Sequence, residues 1–334
     1  MSLPERWFEP RLSAGLLPLV PLAGLFGALS GVRRELFRRG WCEVRRMRVP
    51  VVVVGNLIVG GAGKTPLTLW LVNELARRGR RPGIVSRGYG GRATRPLSVS
   101  LDADPALVGD EPLLLARRSR VPVWVGRDRA AAASALLQAH PEVDMLVCDD
   151  GLQHYGLARD FEIAVFDARG AGNGWLLPAG PLREPLGRLR QLDAVIFNGI
   201  RHQEVAPWAA ATPSFDMALL PGRFRKLGSA GEETCAAADL KGQRLFALAG
   251  IGHPPRFFQT LSELGLDFER RPFPDHHRFT AADFSVPHGG ILLLTEKDAV
   301  KCPPTLATEA WVLPVEAEIS LELVELILEK IRGR

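Results

Sequence analysis

Ile58–Leu67 reads IVGGAGKTPL and follows the apolar run VPVVVVGNL, Val49–Leu57. A phosphate loop is written G-x-x-x-x-G-K-[ST]: its backbone N–H groups surround phosphates, its Lys reaches the β- and γ-oxygens, and its hydroxyl serves Mg²⁺. Gly63, Lys64 and Thr65 fit that pattern, but the first position holds Ile58 where glycine is usual. The competing reading is a glycine-rich turn between a strand and a helix. The neighbours favour the phosphate loop. Val49–Val54 is a β-branched run suited to a parallel strand covered on both faces. Beyond the loop, Leu67, Leu71 and Leu75 recur at helical spacing up to RRGRRPG. A helix beginning at Lys64 adds its own N–H groups and partial positive charge. Gly60 and Gly61 supply the tight backbone path, so the candidate nucleotide contacts are Ile58, Val59, Gly60, Gly61, Ala62, Gly63, Lys64 and Thr65.

Outward from the loop, apolar runs alternate with helical patterns. Gly83–Ser86, VPVWV, VDMLVCDD, FEIAVF and DAVIFN read as strands, and Ala130–Ala139 as an Ala-rich helix. Repeated βα units imply an α/β fold with a doubly wound, mainly parallel sheet, helices on both faces and ligands at the carboxyl ends of the strands. Residues 49–202 are expected to form this core and 203–240 a connector holding a short strand pair. A smaller α/β domain is expected over 241–334, where QRLFALAGIGHPPRFFQTLSELGL and GGILLLTEKDAVK each read as strand, loop and helix.

The formal charge of +5 is concentrated at one end, since residues 1–50 carry nine Arg against four Glu. The rest is close to neutral, which argues against a nucleic-acid partner. Four cysteines stand far apart without a C-x-x-C pair, which suits a reducing compartment and no zinc framework. Between Arg11 and Arg33 lies the uncharged span LSAGLLPLVPLAGLFGALSGV. It is long enough to cross a bilayer, but Pro18, Pro21 and several Gly and Ser interrupt it. An element lying on the membrane, with RRELFRRGW held by anionic headgroups, accounts for both the apolar and the basic parts of 1–48. A spanning helix and a buried helix are the alternatives.

Asp149 and Asp150 end the strand of VDMLVCDD. An acidic residue there, in the same sheet as a phosphate loop, holds or orients Mg²⁺, and a solvated turn is the plainer reading. Asp110 opens GDEPLLLARR, where a helix cap and a general base are both open. FPDHHRFT, Phe273–Thr280, offers a base with an orienting carboxylate, a metal cluster or a structural loop. Arg87, Arg129 and Arg183 follow strands or lie in loops, where guanidinium groups suit phosphates. Glu184 in LPAGPLREPL is a candidate metal or substrate contact.

Together, VGNLIVGGAGKTP, SRGYGG, GDEPLLLA, DDGLQH, LPAGPLREPL, FPDHHRFT and TEKDAVK resemble tetraacyldisaccharide 4′-kinase, the lipid A kinase of Gram-negative bacteria. They run in family order from Val54 to Lys301. The resemblance implies ATP- and Mg²⁺-dependent phosphorylation of the 4′-hydroxyl of a lipid disaccharide 1-phosphate, at the cytoplasmic face of the inner membrane. It implies a catalytic pair of Asp110 and His276 with Asp275 beside it, and a metal shell drawn from Thr65, Asp149, Asp150 and Glu184. Gln153 and His154 of DDGLQH join Arg87, Arg129 and Arg183 as candidate substrate contacts. The rival is a phosphate-loop GTPase or ATPase switch at the membrane. TEKD, Thr295–Asp298, does not supply the guanine-reading N-K-x-D, because its Lys stands one place too late.

Overall fold

The computed structural model describes residues 3–228, 233–275, 277, 279–302 and 310–332. The chain opens with a single turn α1 (Leu3–Arg6), a 3₁₀ segment Ala14–Leu19, and α2 (Val20–Arg38). Pro21 lies in the first turn of α2, where a missing N–H costs nothing, so it starts the helix instead of interrupting it. Leu16 and Ala23 are buried and Gly27 faces Leu176 closely, whereas Leu22, Leu25, Leu29 and Val32 are exposed. One face of the segment is therefore docked on the protein and the other is apolar and bare. A helix docked along one side and apolar on the other has the form of an element that rests on a lipid surface.

Next come β1 (Val51–Gly55), α3 (Lys64–Arg77), β2 (Pro82–Ser86), β3 (Leu97–Ser98), α4 (Pro105–Val108), α5 (Asp110–Ser119), β4 (Val123–Val125) and α6 (Arg129–Ala139). They lead to β5 (Met145–Asp149), β6 (Phe161–Phe166), β7 (Ala194–Asn198), α7 (Ala206–Ala209) and β8 (Ser214–Pro221). The chain then builds β9 (Phe224–Lys226), β10 (Thr234–Cys235), β11 (Leu245–Ala249), α8 (Pro254–Glu263), β12 (Phe268–Pro272), β13 (Ile291–Thr295), α9 (Glu296–Ala299) and β14 (Ala310–Leu313). It closes with β15 (Val315–Ile319) and α10 (Glu322–Ile331).

A nine-stranded sheet has the order β15-β8-β7-β6-β1-β5-β2-β4-β3, and a six-stranded one β10-β9-β14-β13-β11-β12. In the large sheet β8, β7, β6, β1, β5, β2 and β4 run parallel, and antiparallel β15 and β3 close the two edges. Its central strands β1, β5 and β6 are buried along their whole length, as expected for strands covered on both faces. Leu67, Leu71 and Leu75 of α3 pack on one face with Leu113 of α5, while Leu136 of α6 packs on the other.

Two expected boundaries change. Residues 203–240, expected as a connector with a short strand pair, give β8 to the large sheet and β9 and β10 to the small one. The smaller domain does not run to the end of the chain: β15 pairs with β8, and Leu323, Val324, Ile327 and Ile331 are buried in the core of the large sheet. An alternating apolar pattern states that a strand has a buried face but does not name the sheet it joins. The two crossings between sheets lie side by side, with Gly222 N donating to Pro314 O at 2.9 Å.

Candidate active site

The loop between β1 and α3 is shaped by where its carbonyls go. Asn56 Nδ2 donates to Gly60 O (3.0 Å), Arg169 Nη2 to Gly61 O (2.6 Å) and Asn198 Nδ2 to Ala62 O (3.2 Å). Three successive carbonyls are thus drawn to side chains, as suits a loop that offers its amides to an anion. Gly60 and Gly63 hold φ of +87° and +94°, and a Cβ on Gly63 would lie 2.6 Å from Asn198 Nδ2. Those two positions need glycine; position 58 does not. Ile58 is fully buried and bridges Leu182, and Val59 N donates to Pro181 O at 2.9 Å. Ile58 and Val59 therefore frame the loop, with the Val59 amide already engaged.

Lys64, at the start of α3, is almost buried, with Nζ 3.4 Å from Gly60 O and 3.5 Å from Asp150 Oδ1. Thr65 follows it, half-buried in the first turn. Asp149 ends β5 and is buried, and Thr68 Oγ1 donates to its Oδ1 at 3.1 Å. Asp150 takes a left-handed φ of +51° and aims elsewhere, with Arg183 Nη1 3.4 Å from its Oδ1. Burial, reinforced by the charges of Glu111 and Asp150, pushes the Asp149 carboxyl up to about 7. Burial acts the same way on Asp150, but Lys64, Arg183 and Arg129 outweigh it and hold that carboxyl below its ordinary range. Adjacent acids thus carry different charge tendencies.

Asp110 begins α5, and Lys301 Nζ lies 3.9 Å from its Oδ2. Beside it, Lys297 Nζ of α9 pairs with Glu111 Oε1 at 2.6 Å. Burial disfavours the charged Lys297, but Glu111, Asp275 and Asp110 together raise its pKa. Asp110 and Asp275, from the two sheets, therefore share the field of one ammonium. Asp275 is exposed, over Gly252; His276 lies outside the described residues. Lys301 Nζ also pairs with buried Asp298 at 2.9 Å, and Asp298 accepts from Gly250 N and Thr295 Oγ1.

The remaining candidates divide. Arg129 is buried and uses its guanidinium on Arg127 O and Asp150 O, so it braces the acidic turn. Its backbone N–H donates to His154 Nε2 (3.2 Å), and burial with the Arg129 charge lowers His154 to about 4, leaving a neutral imidazole near pH 7. Arg87 stands exposed at the end of β2. Glu184 is buried, accepting from Gln153 Nε2 (2.9 Å) and Tyr155 Oη (2.5 Å). Its oxygens are engaged away from Lys64, so the structure brings Asp149, Asp150 and Lys64 together but not Glu184.

Sequence reading passed over Glu111, Lys297, Lys301, Arg169, Asn198 and Thr68. Arg169 follows β6 and Asn198 ends β7, at the carboxyl edge where ligands bind, so that rule could have found both. Thr68 lies one helical turn from Lys64, on the same face of α3.

The group chemistry fits a nucleotide with its metal. The loop offers Lys64 to phosphates, and Asp149 and Asp150 bring carboxylate oxygens beside it. Among the described residues no three Asp, Glu, His or Cys side chains form a metal cage.

A tetraacyldisaccharide-1-P 4′-kinase family model matches residues 16–332. The tetraacyldisaccharide 4′-kinase of Dechloromonas aromatica (strain RCB) is 58% identical over 333 residues, covering 99% of this chain and 98% of that protein. The protein of the same name from Azoarcus sp. (strain BH72) is 52% identical over 316 residues, covering 95% and 92%. Among solved structures, the "apo" form of LpxK from Aquifex aeolicus in complex with ATP superposes with a TM-score of 0.80 at 31% identity, covering 95% of this chain and 99% of that one. These matches leave the switch reading without support. The chain belongs to the tetraacyldisaccharide 4′-kinase family: it is an ATP-dependent, membrane-associated lipid kinase of lipid A biosynthesis.

Proposed function

We propose that the phosphate loop and the α5–α9 junction are the two halves of one phosphoryl-transfer site, with a lipid disaccharide 1-phosphate as acceptor at the inner-membrane surface. The observation that supports it best is the set of ion pairs on the two sides, Lys64 with Asp150 beside the loop and Lys297 with Glu111 and Lys301 with Asp110 at the junction. Lys64 and the amides of residues 60–65 hold the β- and γ-phosphates. Thr65 and Asp149, with Asp150 beside them, present the oxygens for Mg²⁺, which when bound neutralises charge on the transferring phosphate. Base and ribose fit the cavity of about 650 Å³ beside the loop, lined by Asn198, Asp216, Met217, Arg256 and Glu318 among others.

Asp110 takes the proton of the 4′-hydroxyl as its oxygen bonds to the γ-phosphorus. The bond to the β,γ-bridging oxygen breaks and ADP leaves. His276 shares that proton and Asp275 orients it, an assignment drawn from sequence. Lys297 and Lys301 hold the carboxylates of α5 in place, so alignment, the main demand of phosphoryl transfer, falls to ion pairs between the two sheets. The bare apolar face of α2 enters the lipid surface, which keeps the substrate's acyl chains in the membrane while its headgroup reaches the cleft.

The test is a kinase assay with ATP and tetraacyldisaccharide 1-phosphate in mixed micelles, titrated with Mg²⁺. Thr65→Ala and Asp149→Asn are expected to raise the Mg²⁺ concentration for half-maximal rate. An unchanged Mg²⁺ requirement would remove both from the metal shell.

A further inference from the structure

The C-terminal end of α2 makes contacts that anchoring to lipid does not require. Arg33 Nη1 donates to Gln153 O at 3.2 Å, and its guanidinium lies 5.7 Å and 5.9 Å from the ring centres of Phe37 and Tyr155. Arg34 Nη1 is 3.7 Å from Glu184 Oε2, with Arg188 Nε also 3.7 Å from that oxygen. Glu184 in turn holds Tyr155 and Gln153 through the bonds described above.

From there the path runs to the phosphate loop in two branches. Gln153 Nε2 donates to Asn56 O (3.1 Å), and Asn56 Nδ2 fixes Gly60 O. Arg183 Nη1 contacts Gln153 Oε1 (3.5 Å) and Asp150 Oδ1 (3.4 Å), and Asp150 faces Lys64. Arg33 is thus turned onto the segment that follows the acidic pair and Arg34 onto Glu184, while the exposed apolar face is left to Leu22, Leu25, Leu29 and Val32.

We infer that Arg33 and Arg34 are positioning residues for phosphoryl transfer: through Gln153, Tyr155 and Glu184 they set Asp150 and the phosphate loop. The inference rests on the proposed roles of Lys64 at the phosphates and of Asp150 beside the metal oxygens. A guanidinium serves here because it can donate to a carbonyl or carboxylate and lie on aromatic rings at once; a lysine ammonium keeps the charge but lacks the planar fork.

The experiment uses the full chain, ATP, Mg²⁺ and tetraacyldisaccharide 1-phosphate in mixed micelles, alongside co-sedimentation with phosphatidylglycerol-containing vesicles. Arg33→Ala/Arg34→Ala is expected to lower kcat about 10- to 100-fold by misplacing the loop, with lipid KM and vesicle binding within about twofold. Arg33→Lys/Arg34→Lys is expected to fall short of wild-type kcat. Tyr155→Phe keeps the ring and loses the bond to Glu184; it should lower kcat less, and non-additively with Arg34→Ala. A normal kcat in the double alanine variant, a loss of activity that tracks lost vesicle binding, or full rescue by lysine each overturns the inference. Asp150→Asn separates the two levels. A normal kcat there overturns the role proposed for Asp150 and this inference with it, whereas an impaired Asp150→Asn beside a normal arginine variant overturns this inference alone.

Discussion

The phosphate loop and the cluster around α9 are held by different means. The loop is one contiguous segment between a buried strand and a helix, with its carbonyls tied by Asn56, Arg169 and Asn198. The α9 side is assembled from ion pairs between sheets: Lys297 with Glu111, Arg118 with Glu296, Lys301 with Asp110. A cradle built from backbone is rigid and keeps its shape without its partner. A junction built from side-chain pairs can open and close, and such closures commonly gate turnover in kinases.

Four measurements sharpen that contrast, in falling order of effect. Asp110→Asn should cut phosphoryl transfer by about 10²–10⁴-fold, the usual range for a general base, while ATP affinity stays within about twofold. Weakened ATP binding in that variant would move Asp110 to the nucleotide half. Lys64→Ala should cost about 10²–10³-fold in transfer and should weaken ATP binding as well, as read by isothermal calorimetry.

Lys297→Met loosens the junction and removes the ammonium whose field Asp110 and Asp275 share. It leaves Glu111 without its closest cation, and a thermal melt should show a loss of about 1–3 kcal/mol, a reduced value because the pair is part-exposed. A kcat that survives the change would mean the junction is not needed for alignment.

The smallest effect concerns protons at Asp149, whose folded pKa is about 7 against the ordinary 3.8. A raised acid keeps its proton in the folded chain after the unfolded chain has released it. Stability without nucleotide should therefore fall as pH rises from about 4 to about 7 and level off above, a change in Tm of roughly a few degrees. Asp149→Asn should flatten that slope, and Mg²⁺ with ATP should offset it in the wild type. A slope equal in both proteins would assign the titration to another group.

What could be read from the sequence follows the same division. The loop was legible because strand, glycines, Lys64 and helix are consecutive, and local chemistry alone requires that order. Even the misfit at Ile58 has a local cause: it packs in the core opposite Leu182, where glycine would leave a void. The position of Asp110 at a helix start was equally plain, but its neighbours Lys297 and Lys301 come from far along the chain, and no periodicity announces which distant lysine meets which carboxylate. Glu184 sits in a motif that looked like a metal ligand, yet its oxygens meet Gln153 and Tyr155. The return of β15 and α10 to the large sheet was illegible for the same reason: amphipathic segments state that they need a partner and leave its identity to topology.

That return orders events during synthesis. Until the ribosome has released Val315–Ile331, β8 is an open sheet edge and the hydrophobic surface beneath α3 lacks Leu323, Val324 and Ile327. The nucleotide domain, though encoded first, is therefore completed last, after the small sheet threaded through it has been made. A nascent chain halted inside the small sheet would carry an intact glycine loop on an unfinished support, and the membrane-facing α2 would emerge long before there is a working kinase to anchor.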